Sequence, residues 1–394
     1  MAADEPKTTG HSAKARMLQA NQAPALDRLR RERLERCFEA MARRGVDVLV
    51  LGREANVRYV SDARRLWLAG TRPFGPACLV VSATREVHLL STSDEGVPAA
   101  IPPANLYPLT WNPDVLSARL ARVPGLRAAR RIGVDGWNAA AGRLLGEIAP
   151  DARVVDGAAL LDGVRMRKTA DEIACLRAAL AVAASGLAGV VASLRAGVDE
   201  AFLRGVFAER IAGLGGTIPS LEGRFRAISR GGRRFAADDL VSLRCGVMLA
   251  GYEGTLTRTW PCAAQTAVSA ASATLAERGR RLAEALVTAC RAGATTYDLL
   301  DAYARSGETL PRSPIAHGVG LGCEPPLVGT AHSCDQPSRL ESGMVLSVRA
   351  AIVATDAREY EVEEVVLVGE QVGEPLVSFP HGPRDAAAAG AAFC

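Results

Sequence analysis

Short apolar runs alternate with helical stretches along the first 160 residues, and this alternation allows few architectures. Apolar side chains recur at helical spacing from Leu26 to Arg44, and Gly45 then ends the pattern. Four strands and a second helix are predicted in the same region: Val46–Leu51, Ala77–Ala83, Glu86–Ser91, Arg131–Val134 and Asn138–Ile148. The pattern predicts a small α/β domain over residues 25–160, with a largely covered sheet.

The remainder of the chain predicts a second α/β domain, over residues 161–382. Residues 155–164 are predicted to link the two domains, and Gly318, Gly320 and Gly322 to form an irregular loop. The predicted elements are four helices, a strand pair around Gly251 and a closing strand pair: 170–194, 199–214, 275–291, 296–305, 239–260, 344–353 and 360–368. Residues 1–24 are predicted to be a disordered tail, and the Ala-rich residues 383–394 a frayed one.

The composition is that of a soluble globular protein. The chain has 394 residues, of which 48% are hydrophobic and 23% charged, enough for two domains with cores of their own. The net charge is only +4 and the Arg residues are spread along the chain, so we expect no nucleic-acid partner.

The cysteines and the N-terminus favour a reduced, cytoplasmic protein. The nine cysteines are odd in number and form no C-x-x-C pair, which argues against a disulfide framework or a zinc ribbon. The first 24 residues lack the apolar core of a signal peptide. No run of 18 apolar residues is free of charge, so we expect no membrane span.

Several segments together carry a resemblance to a known family. They include ARRGVDVLVLGREANVRYVSD near the N-terminus, VRMRKTADEIACLRAALAVA at the domain junction, HGVGL from His317, GMVLSVR up to Arg349 and VEEV around Glu363. Over roughly residues 26–380 these segments resemble the creatinase/aminopeptidase P family, which includes Xaa-Pro peptidases. The resemblance implies an α/β fold: a creatinase-like N-terminal domain followed by a pita-bread domain.

The positions that hold metal in that family are altered here. Metallopeptidases of the family bind two divalent ions through Asp, Asp, His, Glu and Glu, and the matching residues are Arg244, Thr255, His317, Arg349 and Glu363. The two altered Asp positions keep the family's separation (255 − 244 = 11), so the alignment is in register. Guanidinium groups cannot lower the pKa of a bound water or act as Lewis acids. We therefore expect no metal and no cofactor.

A further departure concerns a histidine. Creatinase and the peptidases carry a His some seventeen residues before the first metal strand. The matching stretch, RFRAISRGGRRFAADD over residues 224–239, contains none.

Two readings of the altered site remain open. In the first, Arg244, Arg258, Arg349 and Thr255 bind an anionic, amino-acid-like molecule while His317 and Glu363 transfer protons. In the second, Arg244 and Arg349 pair with Glu363, Glu253 or Glu361 and fill the former metal cavity. Arg258 matches a family position whose Arg usually has a structural role.

Cysteine chemistry is a minor alternative. His332 and Cys334 could form a Cys/His nucleophile pair, and Cys323 could face the site, although ordinary buried thiols are more common.

The residues and the resemblance lead to one expected function and one alternative. We expect a metal-independent hydrolase or lyase resembling creatinase, acting on a C–N bond of a small carboxylate-bearing, amino-acid-like substrate. The alternative is an inactive Xaa-Pro peptidase homologue that serves as a binding module or partner subunit. The resemblance also implies a homodimer, or a heterodimer with an intact homologue. A metal-dependent Xaa-Pro peptidase would need ligands that the chain lacks.

Overall fold

The computed structural model describes residues 25–63, 78–91, 94–108, 110, 112–136, 139–215, 218–227, 234–237, 239–262, 269–329, 337–354 and 358–388. The tail predicted over residues 1–24 lies outside these ranges. The described chain divides into an N-terminal unit, Ala25–Thr169, and a C-terminal unit that begins at Ala170.

The N-terminal unit is a mixed sheet with helices packed on it. Its helices are α1 Leu26–Arg44, α2 Glu54–Ser61, α3 Pro113–Leu120, α4 Ala139–Ile148 and α5 Gly157–Arg165. Its strands are β1 Val48–Leu51, β2 Cys78–Val81, β3 Glu86–Leu90, β4 Leu106–Tyr107, β5 Arg131–Val134 and β6 Arg153–Asp156. The sheet order is β4-β3-β2-β1-β5-β6, with β1 antiparallel to β2 and parallel to β5.

The structure places the domain boundary after Thr169 rather than after residue 160. The linker predicted over Val155–Val164 is instead the end of β6 and most of helix α5. Asp156 caps α5 by accepting the amide of Ala159 at 2.9 Å, and Arg165 at its end donates to Asn56 at 2.8 Å. These contacts tie α5 to the N-terminal unit.

The C-terminal unit is a curved antiparallel sheet with helices on one face. Its helices are α6 Ala170–Ser193, α7 Glu200–Gly213, α8 Ala270–Ala289, α9 Thr296–Arg305 and α10 Pro383–Ala388. Its strands are β7 Ile218–Ala227, β8 Leu240–Leu249, β9 Tyr252–Pro261, β10 Ala316–Val319, β11 Cys323–Val328, β12 Val345–Val353, β13 Glu359–Leu367 and β14 Glu374–Pro375. The sheet order is β11-β10-β12-β13-β9-β8-β7, with β14 beside β13. The predicted two-domain α/β architecture is confirmed.

The helical face of this sheet is closely packed. Helix α6 lies on β8 and β9, and α8 lies on β12 and β13. Buried Tyr252 donates to Glu172 of α6 at 2.9 Å. The opposite face is concave, because the sheet curls until the amide of Glu253, at the start of β9, donates to Gly320, just after β10, at 3.2 Å.

Two local predictions differ from the structure. Gly318, predicted to begin an irregular loop, belongs with His317 to strand β10, although the register with β11 shifts between them. Residues 383–388, predicted to be frayed, form helix α10, beside which the amide of His381 donates to Asp385 at 3.2 Å.

Helix α6 is long and apolar enough to cross a membrane by length and composition alone. Half of its most apolar window is buried inside the protein, where it packs on α7 and on the sheet. Core helices of soluble proteins have the same character, so this is weak evidence for a membrane span.

Gly254 sets the distance between α6 and the strand that carries the candidate site. A Cβ added there would lie 2.6 Å from the backbone nitrogen of Leu180 and 2.7 Å from the carbonyl carbon of Ala179. Because backbone atoms cannot rotate away, we expect Gly254→Ala to destabilise the protein by about 1–3 kcal/mol in chemical denaturation. The matched control is Gly205→Ala on α7, where a Cβ meets no atom within 4 Å. This change should be neutral or stabilise by about 0.5–1 kcal/mol, and equal effects at both positions would contradict the packing described.

Candidate functional site

A single register row across five strands carries the candidate site. Arg349 on β12 lies opposite Glu363 on β13, which lies opposite Thr257 on β9. Thr257 in turn lies opposite Arg244 on β8, and Arg244 opposite Arg224 on β7. Directly paired residues point to the same face of a sheet, so the row places these side chains on the concave face.

Glu363 is the buried centre of this row. Only 2% of the residue is exposed, and its carboxylate accepts hydrogen bonds from Ser347 at 2.6 Å, Thr257 at 2.8 Å and Thr255 at 3.3 Å. Burial alone would raise the pKa of Glu363. The charge of Arg244 and the bonds from Ser347 and Thr257 outweigh it and hold the pKa below 4.5. Glu363 is therefore ionised, and most of its lone pairs are occupied.

Thr255 has a different partner from the predicted one. Sequence reasoning assigned it to substrate binding, but the side chain is buried and donates to Glu363. The hydroxyl thus helps to satisfy the carboxylate.

Arg244 is close to Glu363 but is not hydrogen-bonded to it. Its Nε lies 3.7 Å from Oε2 of Glu363, and 35% of the side chain is exposed. Nε itself is buried, and among the described residues it has no hydrogen-bond partner. The guanidinium is therefore held near the carboxylate by charge, and among the described residues no group accepts a hydrogen bond from its terminal nitrogens.

His317 lies beside the row and is neutral at pH 7. It pairs with Ser347 across β10 and β12. Burial lowers its pKa below 6.5, and Arg244 lowers it further, against the opposing charges of Glu363 and Glu253. In the part of the chain that is described, no group forms a hydrogen bond with the ring. A neutral imidazole with an open nitrogen can accept a proton.

Arg349 is engaged within the protein. One terminal nitrogen donates to Ser313 at 2.5 Å and the other to Glu361, and 20% of the side chain is exposed. Of the pairings that the sequence left open, the structure therefore forms Arg349 with Glu361 and Arg244 with Glu363.

Arg258 is not part of the candidate site, and its predicted substrate-binding role is replaced by a structural one. Side chains alternate between the faces of a strand, so Arg258 points away from its neighbour Thr257. It is fully buried and donates to Glu364 at 2.7 Å and to the backbone oxygens of Glu363, at 2.8 Å, and Phe379, at 3.1 Å. These bonds anchor the C-terminal segment to the sheet.

Three cavities of this unit lie elsewhere. They measure about 560, 430 and 250 Å³ and lie between α8 and α9, along α8 beside residues 375–381, and around Tyr360 and His381. None of the three is lined by Arg244, His317 or Glu363. The three cavities therefore lie away from the concave face, which carries Arg244, His317 and Glu363.

Cysteine chemistry gains no support from the described residues. His332 and Cys334 lie outside the described ranges. Cys323 is exposed, and burial of its thiol and then the charges of Glu324 and Glu253 raise its pKa, so the thiol stays protonated at neutral pH.

Sequence reasoning missed the hydroxyls that hold Glu363. Ser347 stands two residues before Arg349, and Thr257 two residues after Thr255, so strand alternation puts them on the same face as the predicted residues. The two-residue spacing along each predicted strand is the sequence signal that could have identified these hydroxyls.

The donor set does not fit a pair of divalent ions. Across the described residues there is no group of three or more His, Cys, Asp and Glu that could hold a metal. The one carboxylate at the five family positions has its oxygens occupied by hydroxyls, and two guanidinium groups stand at positions where the family has acids.

Known proteins match both units. The profile of metallopeptidase family M24 matches residues 174–370, and that of the creatinase/prolidase N-terminal domain matches residues 33–167. A creatinase from Bacillus sp. (strain B-0618) is 26% identical over 380 residues, which cover 89% of this chain and 90% of that protein.

Two solved structures have the same fold. The X-Pro aminopeptidase from Thermotoga maritima MSB8 has a TM-score of 0.72 at 16% identity, covering 89% of this chain and 98% of that one. The prolidase from Pyrococcus horikoshii OT3 has a TM-score of 0.71 at 17% identity, covering 89% and 99%. At these identities the two structures establish the fold alone.

The chain belongs to metallopeptidase family M24, the creatinase and Xaa-Pro peptidase-like family of hydrolases, and carries the creatinase/prolidase N-terminal domain. The predicted family and its pita-bread fold are confirmed.

The first prediction of the site concerns the hydroxyl of Ser347. A carboxylate with a lowered pKa stabilises the fold above its unfolded pKa of 4.5, and this stability is lost as pH falls through the folded pKa. Ser347→Ala should raise the folded pKa and destabilise the protein by about 1.5–3 kcal/mol at neutral pH. The loss should shrink in acid, as pH falls through the folded pKa and Glu363 becomes protonated.

The control is the same change in a Glu363→Gln background, where a neutral hydrogen bond should cost only about 0.5–1.5 kcal/mol. Chemical denaturation at neutral and at acid pH measures the free energy of unfolding of four proteins. They are the unaltered chain, Ser347→Ala, Glu363→Gln and the double variant. A loss that is the same at neutral and acid pH would contradict an ionised Glu363.

The second prediction concerns His317. Its pKa is lowered in the folded protein, so the unfolded state binds more protons below pH 6.5. The free energy of unfolding should therefore fall as pH drops below 6.5, and His317→Gln should flatten that slope. Buried His88 also has a pKa lowered by burial, so His88→Gln is the matched variant that removes the other contribution. A slope unchanged in His317→Gln would show that His317 is not buried in its neutral form.

Proposed function

We propose that this protein is a metal-independent hydrolase or lyase that acts on a C–N bond of a small, carboxylate-bearing, amino-acid-like molecule. The proposal is supported by the similarity to a creatinase along most of the chain and by the side chains on the concave face.

The single observation that carries the proposal is the state of Arg244. Its guanidinium is partly exposed on the concave face, and no described residue accepts a hydrogen bond from its buried Nε. The carboxylate of Glu363 lies 3.7 Å from that Nε, so it balances the charge of the guanidinium without accepting a hydrogen bond from it. Arg presents a planar fork that matches a carboxylate, so this side chain is suited to bind the acid group of a substrate.

His317 supplies the proton transfer in this proposal. To hydrolyse a C–N bond, the neutral ring first takes a proton from the attacking water and then returns it to the leaving nitrogen. The proton released in the first step is thus consumed in the second. Glu363, for which sequence reasoning also predicted proton transfer, is a poor base because its pKa is lowered and its oxygens accept three hydrogen bonds. Its proposed role is to hold Arg244 in place and to favour the charge on His317 after protonation.

The donor set supports metal independence. Arg244 and Arg349 bring positive charge to positions where relatives have acids, and the row already pairs those charges with Glu363 and Glu361. No step of the proposed reaction passes through a metal ion.

The second candidate function is an inactive homologue that serves as a binding module or partner subunit. Arg349 favours it, because both its terminal nitrogens are engaged by Ser313 and Glu361 and fill part of the face. A protein of this kind would bind the same anions through Arg244 without turning them over. In either case we propose a cytoplasmic protein that forms a homodimer, or a heterodimer with an intact homologue, and acts on small molecules rather than nucleic acid.

A pair of Arg variants tests anion binding. Arg244→Lys keeps the charge that Glu363 needs but loses the bidentate fork, so affinity for acetate and glycolate should fall roughly tenfold, about 1.4 kcal/mol. Arg349→Ala should lower stability, since Glu361 loses its partner, and leave that affinity unchanged. Calorimetric titration measures affinity and thermal unfolding measures stability, with exposed Arg210→Lys on α7 as the control. Carboxylate binding that survives in Arg244→Lys and is lost in Arg349→Ala would overturn the assignment.

Turnover separates the two candidate functions. Protein stripped of metal with a chelator is incubated with N-carbamoyl, N-acyl and guanidino derivatives of amino acids, and the released amine is measured. The enzyme proposal expects turnover that is lost in His317→Gln and does not require added manganese or zinc. Binding without turnover across the panel favours the inactive homologue, and turnover only with added metal overturns metal independence.

A further inference from the structure

One carboxylate on the concave face has no role in the site described so far. Glu253 stands at the start of β9, and with Thr255 and Thr257 it occupies alternate positions of the strand, so all three share the concave face. The side chain is half-buried, and among the described residues it forms no hydrogen bond and no ion pair. Because this carboxylate is partly exposed and no described side chain takes its oxygens, it can accept hydrogen bonds from a cationic group of a ligand.

The backbone holds Glu253 in position. Its amide donates to Gly320 at 3.2 Å, at the point where the curled sheet brings β9 against the turn after β10. It follows Ala250 and Gly251, which form the tight β8–β9 turn with positive φ angles of 49° and 89°. The backbone of Glu253 is therefore fixed at one end of the concave face, and its side chain extends from there.

Glu253 is near enough to His317 to act on it. The ring's electrostatic surroundings on this face are Glu363, Glu253 and Arg244. Glu363 is occupied by hydroxyls, so Glu253 is the carboxylate of this set that is open to a ligand.

The concave face therefore carries positive charge at one end and negative charge at the other. Arg244 lies in the row of Thr257, with Arg224 next to it on β7, and this end is positive. Glu253 lies four residues before Thr257, which is about 13 Å along the strand at roughly 3.3 Å per residue. Among the described contacts, Arg244 pairs with Glu363 and not with Glu253. The two open charges are separate, with His317 near both.

We propose that Glu253 is a specificity-determining residue that binds the cationic nitrogen group of the substrate while Arg244 binds its carboxylate. The inference rests on the proposed function, because it uses the same face and the same Arg. The ligand class is an amino or guanidino acid whose charges are several bonds apart, since a molecule with both charges at one carbon reaches only one end of the site.

Two ligands of equal length test the role of Glu253. Valerate and δ-aminovalerate differ in the cationic end alone, so the ratio of their affinities reports what that end contributes. In the unaltered protein δ-aminovalerate should bind roughly ten- to a hundredfold more tightly than valerate, as a charge-assisted hydrogen bond implies. Isothermal titration measures both. α-Aminovalerate, whose two charges are adjacent, should gain no such advantage.

Variants then assign the effect to a residue. Glu253→Gln should abolish the difference between the two ligands while leaving valerate affinity unchanged. Arg244→Lys should weaken both ligands alike. Glu370→Gln, at an exposed turn position, should change neither.

The outcomes separate this inference from the proposed function. Equal binding of valerate and δ-aminovalerate by the unaltered protein, or a preference that survives in Glu253→Gln, overturns the role of Glu253 and leaves carboxylate binding by Arg244 intact. Failure of all three ligands to bind overturns the proposed function itself, and the role of Glu253 with it.

Discussion

The concave face depends on the contact between one buried carboxylate and one guanidinium. Glu363 is nearly inaccessible to solvent, and removing a charge from water is costly unless other groups compensate it. Three hydroxyls from two neighbouring strands supply hydrogen bonds, and Arg244 supplies the opposite charge from 3.7 Å. Without the hydroxyls or without Arg244, the charge of Glu363 would be buried and only partly compensated. The strands that position Arg349 and His317 would then pack around it.

The same contact explains how a family of metal-binding proteins can include a chain with these residues. In metal-dependent relatives acidic side chains balance divalent cations, whereas here Arg244 and Arg349 provide cations that are covalently part of the protein. A guanidinium attracts and orients an anion but does not activate water. In the function that we propose, the altered positions therefore bind the substrate, and a side chain transfers the proton. His317 is suited to this because burial keeps its imidazole neutral.

Elements with strong periodicity were predictable from the sequence. Helix α1 and helix α9 have the predicted bounds. Both have regular apolar spacing, Gly45 ends α1 in a left-handed conformation, and a capping box of Thr295 and Asp298 begins α9. Helix α5 is not predictable as a helix from the sequence, because it is short and follows a strand without a break. Strands β7, β10 and β11 are too short or too irregular in sequence for a clear period of two.

The site was predictable only in part. The resemblance identified the five altered positions, but partners come from other strands, and pairing register is not visible in a single sequence. Alternation along β9 would have separated Arg258 from Thr257 and placed Thr257 beside the site, since neighbouring residues of a strand face opposite ways. The bond between Glu253 and Gly320 depends on the curl of the whole sheet, which no local pattern shows.

The central claim is that Glu363 is kept ionised by this protein's own side chains. It is tested most directly by carbon-13 NMR of protein with labelled Glu carboxyl carbons, titrated with acid after removal of metal by a chelator, with Glu363→Gln used to assign the resonance. The account predicts a midpoint for Glu363 below 4.5 that moves upward in Arg244→Gln. A midpoint at or above 4.5 in the metal-stripped protein, falling only when a divalent metal is added, would contradict it.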